Sequence, residues 1–271
     1  MEGSVRTLLV VAGVIIMTAW AIAQSQGRGT LGEVQALGQE VRQPPPPTGP
    51  VPRLPDGTVD LGDGIWTGGG PGSMAAGLKK GETLPLLPWA KALMDDRAKR
   101  ETDDPHVWCL PMGVPRTTVY PFRFVQNYTH KKPTHMFILH EGNIHSYRQI
   151  FMDGRQHPPD LDATWFGHSV GWYEKDTLVI DTVGFNDKFW FDRQGTPHTE
   201  QLHTIERWTR IDRGHMVNEI TIDDAGAYSR PFTVTFPARL NPPGDEIREY
   251  ICQENNQFGV AGGYRNPFAG P

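Results

Sequence analysis

Two short segments carry the side chains best suited to moving protons. The first runs from His157-Pro158-Pro159-Asp160 to Gly167-His168-Ser169 around Trp165. The second is Thr196-Pro197-His198-Thr199-Glu200, with His203 just beyond it. A histidine held beside a carboxylate can act as a general base, because the carboxylate sets the imidazole tautomer and steadies the imidazolium. The prolines stiffen the first loop, and Gly167 gives His168 access to a backbone angle that side chains resist. His168 and His198 are therefore the candidates for proton transfer, with Asp160 and Glu200 as their orienting partners. The competing reading is that these histidines bond to loop carbonyls and only brace the ends of the fold.

Large aromatic side chains surround them. Trp165, Trp172 and Trp190 would form the walls of a pocket for a small, largely apolar organic molecule, with His157 and His203 also lining it. The same residues equally suit a packed core. Phe189-Trp190-Phe191 falls between Asp187 and Asp192 in an expected connection, where an aromatic lid over a ligand would sit. Glu206-Arg207 is expected as an ion pair on an outer wall, since long charged side chains are seldom buried. His130, His135, His140 and His145 are expected to be structural or solvent-facing.

Several chemistries lack their motifs. There is no Gly-x-Ser-x-Gly elbow, and no phosphate-binding or dinucleotide-binding glycine pattern in a strand–helix context. His198-x-Glu200 with His203 matches no standard metal spacing, so no cofactor or metal is expected. A site assembled across strands by His168 and His198 is the remaining route to one.

The elements that would position these residues are mostly strands. Gly64-Ile65-Trp66 opens a first one, and a helix follows from Pro88, with Trp89, Ala92 and Leu93 on one face. After Pro115 the hydrophobic period becomes two. Phe122 and Phe124 share a face, as do Met136, Ile138 and His140. Hairpins are expected at the Glu141-Gly142-Asn143 turn, across Ser169–Tyr173 and Thr177–Val183, and across His203–Ile211 and Met216–Ile222. Phe232, Val234 and Phe236 alternate with threonines, and Ile247–Cys252 supplies a last strand. Thirty glycines and 24 prolines in 271 residues also favour a loop-rich β protein. The expectation is a single antiparallel up-and-down barrel, preceded by a short helix, with a β-sandwich as the alternative.

Residues 1–23 read as a signal peptide: Arg6, an apolar run from Leu8, then Ala21-Ile22-Ala23. Residues 24–57, with Pro44 to Pro47, read as a flexible proline-rich tether. The barrel domain is expected over 58–256 and a tail over 257–271. A net charge of −5 without basic blocks argues against a nucleic-acid partner and against membrane-surface binding. No stable membrane insertion is expected once the signal is cleaved. In an oxidising compartment Cys109 and Cys252 are expected to be bridged. The expected setting is periplasmic or secreted.

Longer strings carry a resemblance: CLPMGVPR (109–116), MDGRQHPPDLDATWFGHSVGWYEKDTLVIDTVGFND (152–187), GTPHTEQLHTIERW (195–208) and EYICQENN (249–256). They resemble a family of exported bacterial proteins of unassigned function, over nearly all of 58–256. That resemblance implies an exported β-rich protein and transfers no catalytic residue. Gly64-x-Trp66 on an opening strand also resembles the lipocalin and calycin barrels. Together these lead to an expected barrel protein that binds a small organic molecule, with His/carboxylate acid–base chemistry of lyase, isomerase or hydrolase type. A carrier without turnover and a partner-binding envelope protein are the alternatives.

Overall fold

The computed structural model describes residues 44–100, 103–129, 132–142 and 146–252. The expected signal peptide and C-terminal tail, and the tether as far as residue 43, lie outside the described residues. Nine strands close into one barrel: β1 (Trp66–Gly68), β2 (Phe122–Thr129), β3 (Lys132–His140), β4 (Ser146–Phe151), β5 (His168–Glu174), β6 (Thr177–Val183), β7 (His203–Arg210), β8 (His215–Asp223) and β9 (Phe232–Leu240). The barrel class read from the period-two pattern holds, and a sandwich is excluded by closure of β9 onto β1 through Trp66↔Leu240.

Three details differ from the simplest meander. Strands β4 and β5 pair in parallel, Ile150 opposite Ser169, whereas every other pair is antiparallel. A parallel pair needs a crossover of a dozen or more residues, and residues 152–167 supply it. This crossover is the His157-Pro158-Pro159-Asp160 loop. Second, the only α-helix among the described residues, α1 (Pro88–Arg97), falls between β1 and β2 and does not precede the barrel. It docks through buried Ala90, while Trp89 is half-exposed and donates to Gly226 O at 3.0 Å. Third, Ile247–Cys252 forms no strand. Closure leaves no free sheet edge for it to join.

Chain preceding the barrel also packs on it. Arg213 N donates to Gly49 O at 3.0 Å, and Arg53 pairs with Asp176 in the β5–β6 turn. Cys109 and Cys252 form a disulfide. Their separation of 143 residues is long enough for chain entropy alone to favour the fold by about 5 kcal/mol. Among the described residues no helix is long and apolar enough to cross a membrane.

The interior is layered. One apolar cluster joins Trp66, Phe122, Phe124, Ile138, Ile150 and Trp208. A second joins Phe185, Phe189, Phe191, Leu202, Ile222 and Phe232. Between them lies a polar layer of inward residues: His140, Arg148, Ser169, Thr182, Thr204, Glu206 and Asn218, all buried. Strand β7 and its lead-in show the order directly: Leu202, Thr204, Glu206 and Trp208 pass from the second cluster through the polar layer into the first.

Candidate active site on the outer wall

Strand alternation sends neighbouring residues to opposite faces. Inside, Arg148 reaches from β4 to Glu206 on β7 and also donates to Ser169 Oγ at 3.0 Å and Thr182 Oγ1 at 2.6 Å. Trp208 Nε1 and Asn218 Nδ2 donate to the other Glu206 oxygen at 3.2 and 3.4 Å. Glu206 is thus not the partner of Arg207. Alternation separates them, and Arg207 pairs instead with Glu174 on the outer wall at 2.6 Å. His140 is fully buried, with its ring stacked on Phe166. Burial, and then the positive charge of Arg148, push its pKa down to about 3. It is therefore neutral in the folded protein near neutral pH.

Outside, the residues adjacent to those of the inner layer converge. His168 precedes Ser169, Asp181 precedes Thr182, and His203 precedes Thr204. Asp181 Oδ1 lies 2.7 Å from His203 Nε2 and 3.3 Å from His157 Nε2. The other nitrogen of His157, Nδ1, lies 2.8 Å from His168 Nδ1. The crossover loop brings His157 into this set, and Thr164 pins its end by exchanging bonds of 3.0 and 2.8 Å with Gly184 O and Asn186 N. Gly167 turns the chain into β5 at φ +64, where a Cβ would come within 2.6 Å of Val183 O. Only glycine fits that neck.

Because Asp181 can only accept, the hydrogens of the chain can be assigned from the network. His203 and His157 donate their Nε2–H groups to Asp181. Neutral His157 then accepts at Nδ1 from His168 Nδ1–H. His168 is left with its Nε2 lone pair, for which no described residue provides a partner. This is an orienting carboxylate, a relaying imidazole and a terminal base in series. The His168 pKa is lowered from its ordinary value, first by burial and then by the nearby His157 and Arg155, so the base form persists into mildly acidic solution. The Phe151 ring stacks on His168 at 5.0 Å between centroids, and the Arg155 guanidinium lies 3.9 Å over that ring. The His157, Asp181 and His203 side chains are 20–35% exposed, open enough for a ligand to approach.

The expected site residues therefore divide. His157, His168 and His203 meet, while Asp160 and Glu200 are exposed and bond to none of them. His198 stands apart, buried between Phe189 and Phe191, with ring nitrogens 3.0 Å from Phe189 O and 3.2 Å from Thr199 O. Burial holds its pKa at about 4, against the pull of those carbonyls and Asp224. Trp172 is on the outer wall, donating to Glu174 at 3.1 Å, and Trp165 packs against the second cluster. The Phe189-Trp190-Phe191 segment is not a lid, because all three side chains are buried in the interior, the first and third within the second cluster. Asp181 is the residue that sequence reasoning did not assign to this site. Its outward position follows from Ile180 and Thr182 facing in, but its contact with His203 depends on the β6–β7 register.

Among the described residues no group of three or more His, Cys, Asp or Glu side chains is arranged to hold a metal ion. His157 spends its two nitrogens on different partners, which fits a hydrogen-bonded relay. No family model, curated protein or solved structure matches the chain.

Proposed function

We propose that this protein is an exported barrel enzyme that binds a small organic molecule on its outer wall and moves a proton on it through His168 Nε2. The observation that carries the reading is the unbroken chain His203–Asp181–His157–His168, ending on an imidazole nitrogen with no partner among the described residues. Asp181 fixes the tautomer of His157, His157 fixes that of His168, and the partial positive charge formed on His168 during proton uptake spreads toward the carboxylate. Phe151 offers a flat apolar surface beside the base, with Arg155, paired to Asp153, lying over that ring. Base-initiated lyase, isomerase and hydrolase reactions use such a step. The disulfide fits an oxidising compartment, as do the apolar run after Arg6 and the strings that resemble a family of exported bacterial proteins. A carrier of the lipocalin kind would hold its ligand in the lumen, but here Trp66, Trp208, Phe122 and the Arg148–Glu206 pair occupy it.

The test uses 5-nitrobenzisoxazole, which opens when a base removes its ring C–H proton and the N–O bond breaks to release a phenoxide. The folded protein should accelerate this opening, with an acid limb below the ordinary histidine pKa of about 6.5. His168→Ala should lose about a hundredfold or more, the usual worth of a positioned base. Asp181→Asn should lose at least about tenfold through the wrong tautomer. A His168→Ala variant as fast as the parent would end the proposal.

A further inference from the structure

A cavity of about 340 Å³ lies away from the histidine relay, where the loop after β1 faces residues 112–120 and Arg193. Its polar lining is Arg116, Tyr120 and Arg193, and its apolar lining comes from Pro71, Met112 and Val119. Arg193 is exposed and has no acidic partner among the described residues. Its backbone is nonetheless fixed. Neighbouring Asp192 is fully buried and accepts from Met74 N, Gln194 N and both the amide and hydroxyl of Thr196.

Arg116 is the built part of the site. It is 3% exposed, locked to Asp104 by two bonds of 3.0 and 2.6 Å, and donates to Trp190 O at 3.4 Å. A guanidinium has five N–H donors, so two remain without an acceptor among the described residues. Asp104 cancels the charge of Arg116 but leaves those directional donors, while Arg193 contributes one uncompensated positive charge. The Tyr120 hydroxyl, 3.3 Å from His106 Nε2, adds a further polar group. One net positive charge, spare planar donors and an apolar side together match a monoanion carrying a flat two-oxygen head. The volume lies at the small end of ligand pockets.

We infer that this cavity is a binding site for a small organic carboxylate: the carboxylate lies between Arg116 and Arg193, and a short apolar body rests on Met112 and Val119. The site is independent of the proton relay and would hold its ligand whether or not the relay is catalytic.

Benzoate is the probe, with benzamide as its neutral counterpart and inorganic phosphate as a bare anion, each titrated by calorimetry into the disulfide-bonded protein. Benzoate should bind saturably and at least about tenfold more tightly than benzamide, as expected for a hydrogen-bonded charge. Arg193→Gln should weaken benzoate about tenfold on the same ground. Gly72 lines the cavity and a Cβ there meets nothing within 4 Å. Gly72→Leu should therefore fold normally and abolish benzoate binding by filling the space. Arg116→Met would break a buried ion pair and is unsuited to the test. Equal binding of benzoate to the parent and Gly72→Leu, or of benzoate and benzamide to the parent, overturns the site. Phosphate binding as tight as benzoate overturns the organic class of the ligand.

Discussion

Strands β5, β6 and β7 each send one residue into the barrel and its chain neighbour out of it, and the two sets behave differently. Ser169, Thr182 and Thr204 face the Arg148–Glu206 pair in a layer that is 0–3% exposed. His168, Asp181 and His203 meet His157 on the outside, where the histidines and Asp181 keep contact with water. Burial turns the first set into structure, since no water can replace a lost partner there. Partial exposure lets the second set exchange protons and meet a ligand. Similar polar residues take opposite roles because their environments differ.

The largest effect should come from breaking the inner pair. Arg148→Met or Glu206→Gln alone should cost about 3–5 kcal/mol in urea unfolding, because a buried charge is left uncompensated. Replacing both, as Arg148→Met with Glu206→Leu, should recover much of that loss. A single variant as stable as the parent would show that the layer is hydrated and the contrast misdrawn.

Acid should reveal the buried histidines next. His140 at about 3 and His198 at about 4 stay neutral in the folded protein while unfolded histidines take up protons near 6.5. The unfolded state then binds more protons, so stability is full above about pH 6.5 and falls as the pH drops toward 4. Two such groups give a limiting slope of about 2.7 kcal/mol per pH unit. Unfolding midpoints measured at several pH values would check it, and His140→Gln should halve the slope.

Outer substitutions should be gentler on stability and harsher on activity. Asp181→Asn should cost no more than about 1 kcal/mol, as for a screened surface interaction, while slowing benzisoxazole opening. A variant that unfolds instead would make the outer set structural too. Smallest of all is Arg207→Gln: its pair with Glu174 is surface-exposed, and the melting temperature should not change measurably.

Some of the site was legible early because it depends on local rules. Gly167 as a neck, the prolines of the crossover and the histidines flanking Trp165 can all be read from neighbouring residues. The carboxylate was assigned by proximity in sequence, to Asp160 and Glu200, and that is where local reading failed. Asp181 is 22 residues from His203 and 24 from His157 along the chain. Pairing register and the parallel crossover, not sequence distance, bring them together. His198 was conspicuous for the same reason as His168, yet it is buried between two phenylalanines, which no spacing rule distinguishes.

The sequence by itself determined the period-two alternation, and with it a mainly β fold and the division of neighbours between two faces. It also determined the two cysteines available to pair. Tertiary structure alone decided which face was the lumen, that β4 and β5 run parallel, and which carboxylate met which histidine. The physical reason is range. Alternation is set by geometry within a strand, whereas register, closure and crossover path are set by contacts between residues tens of positions apart.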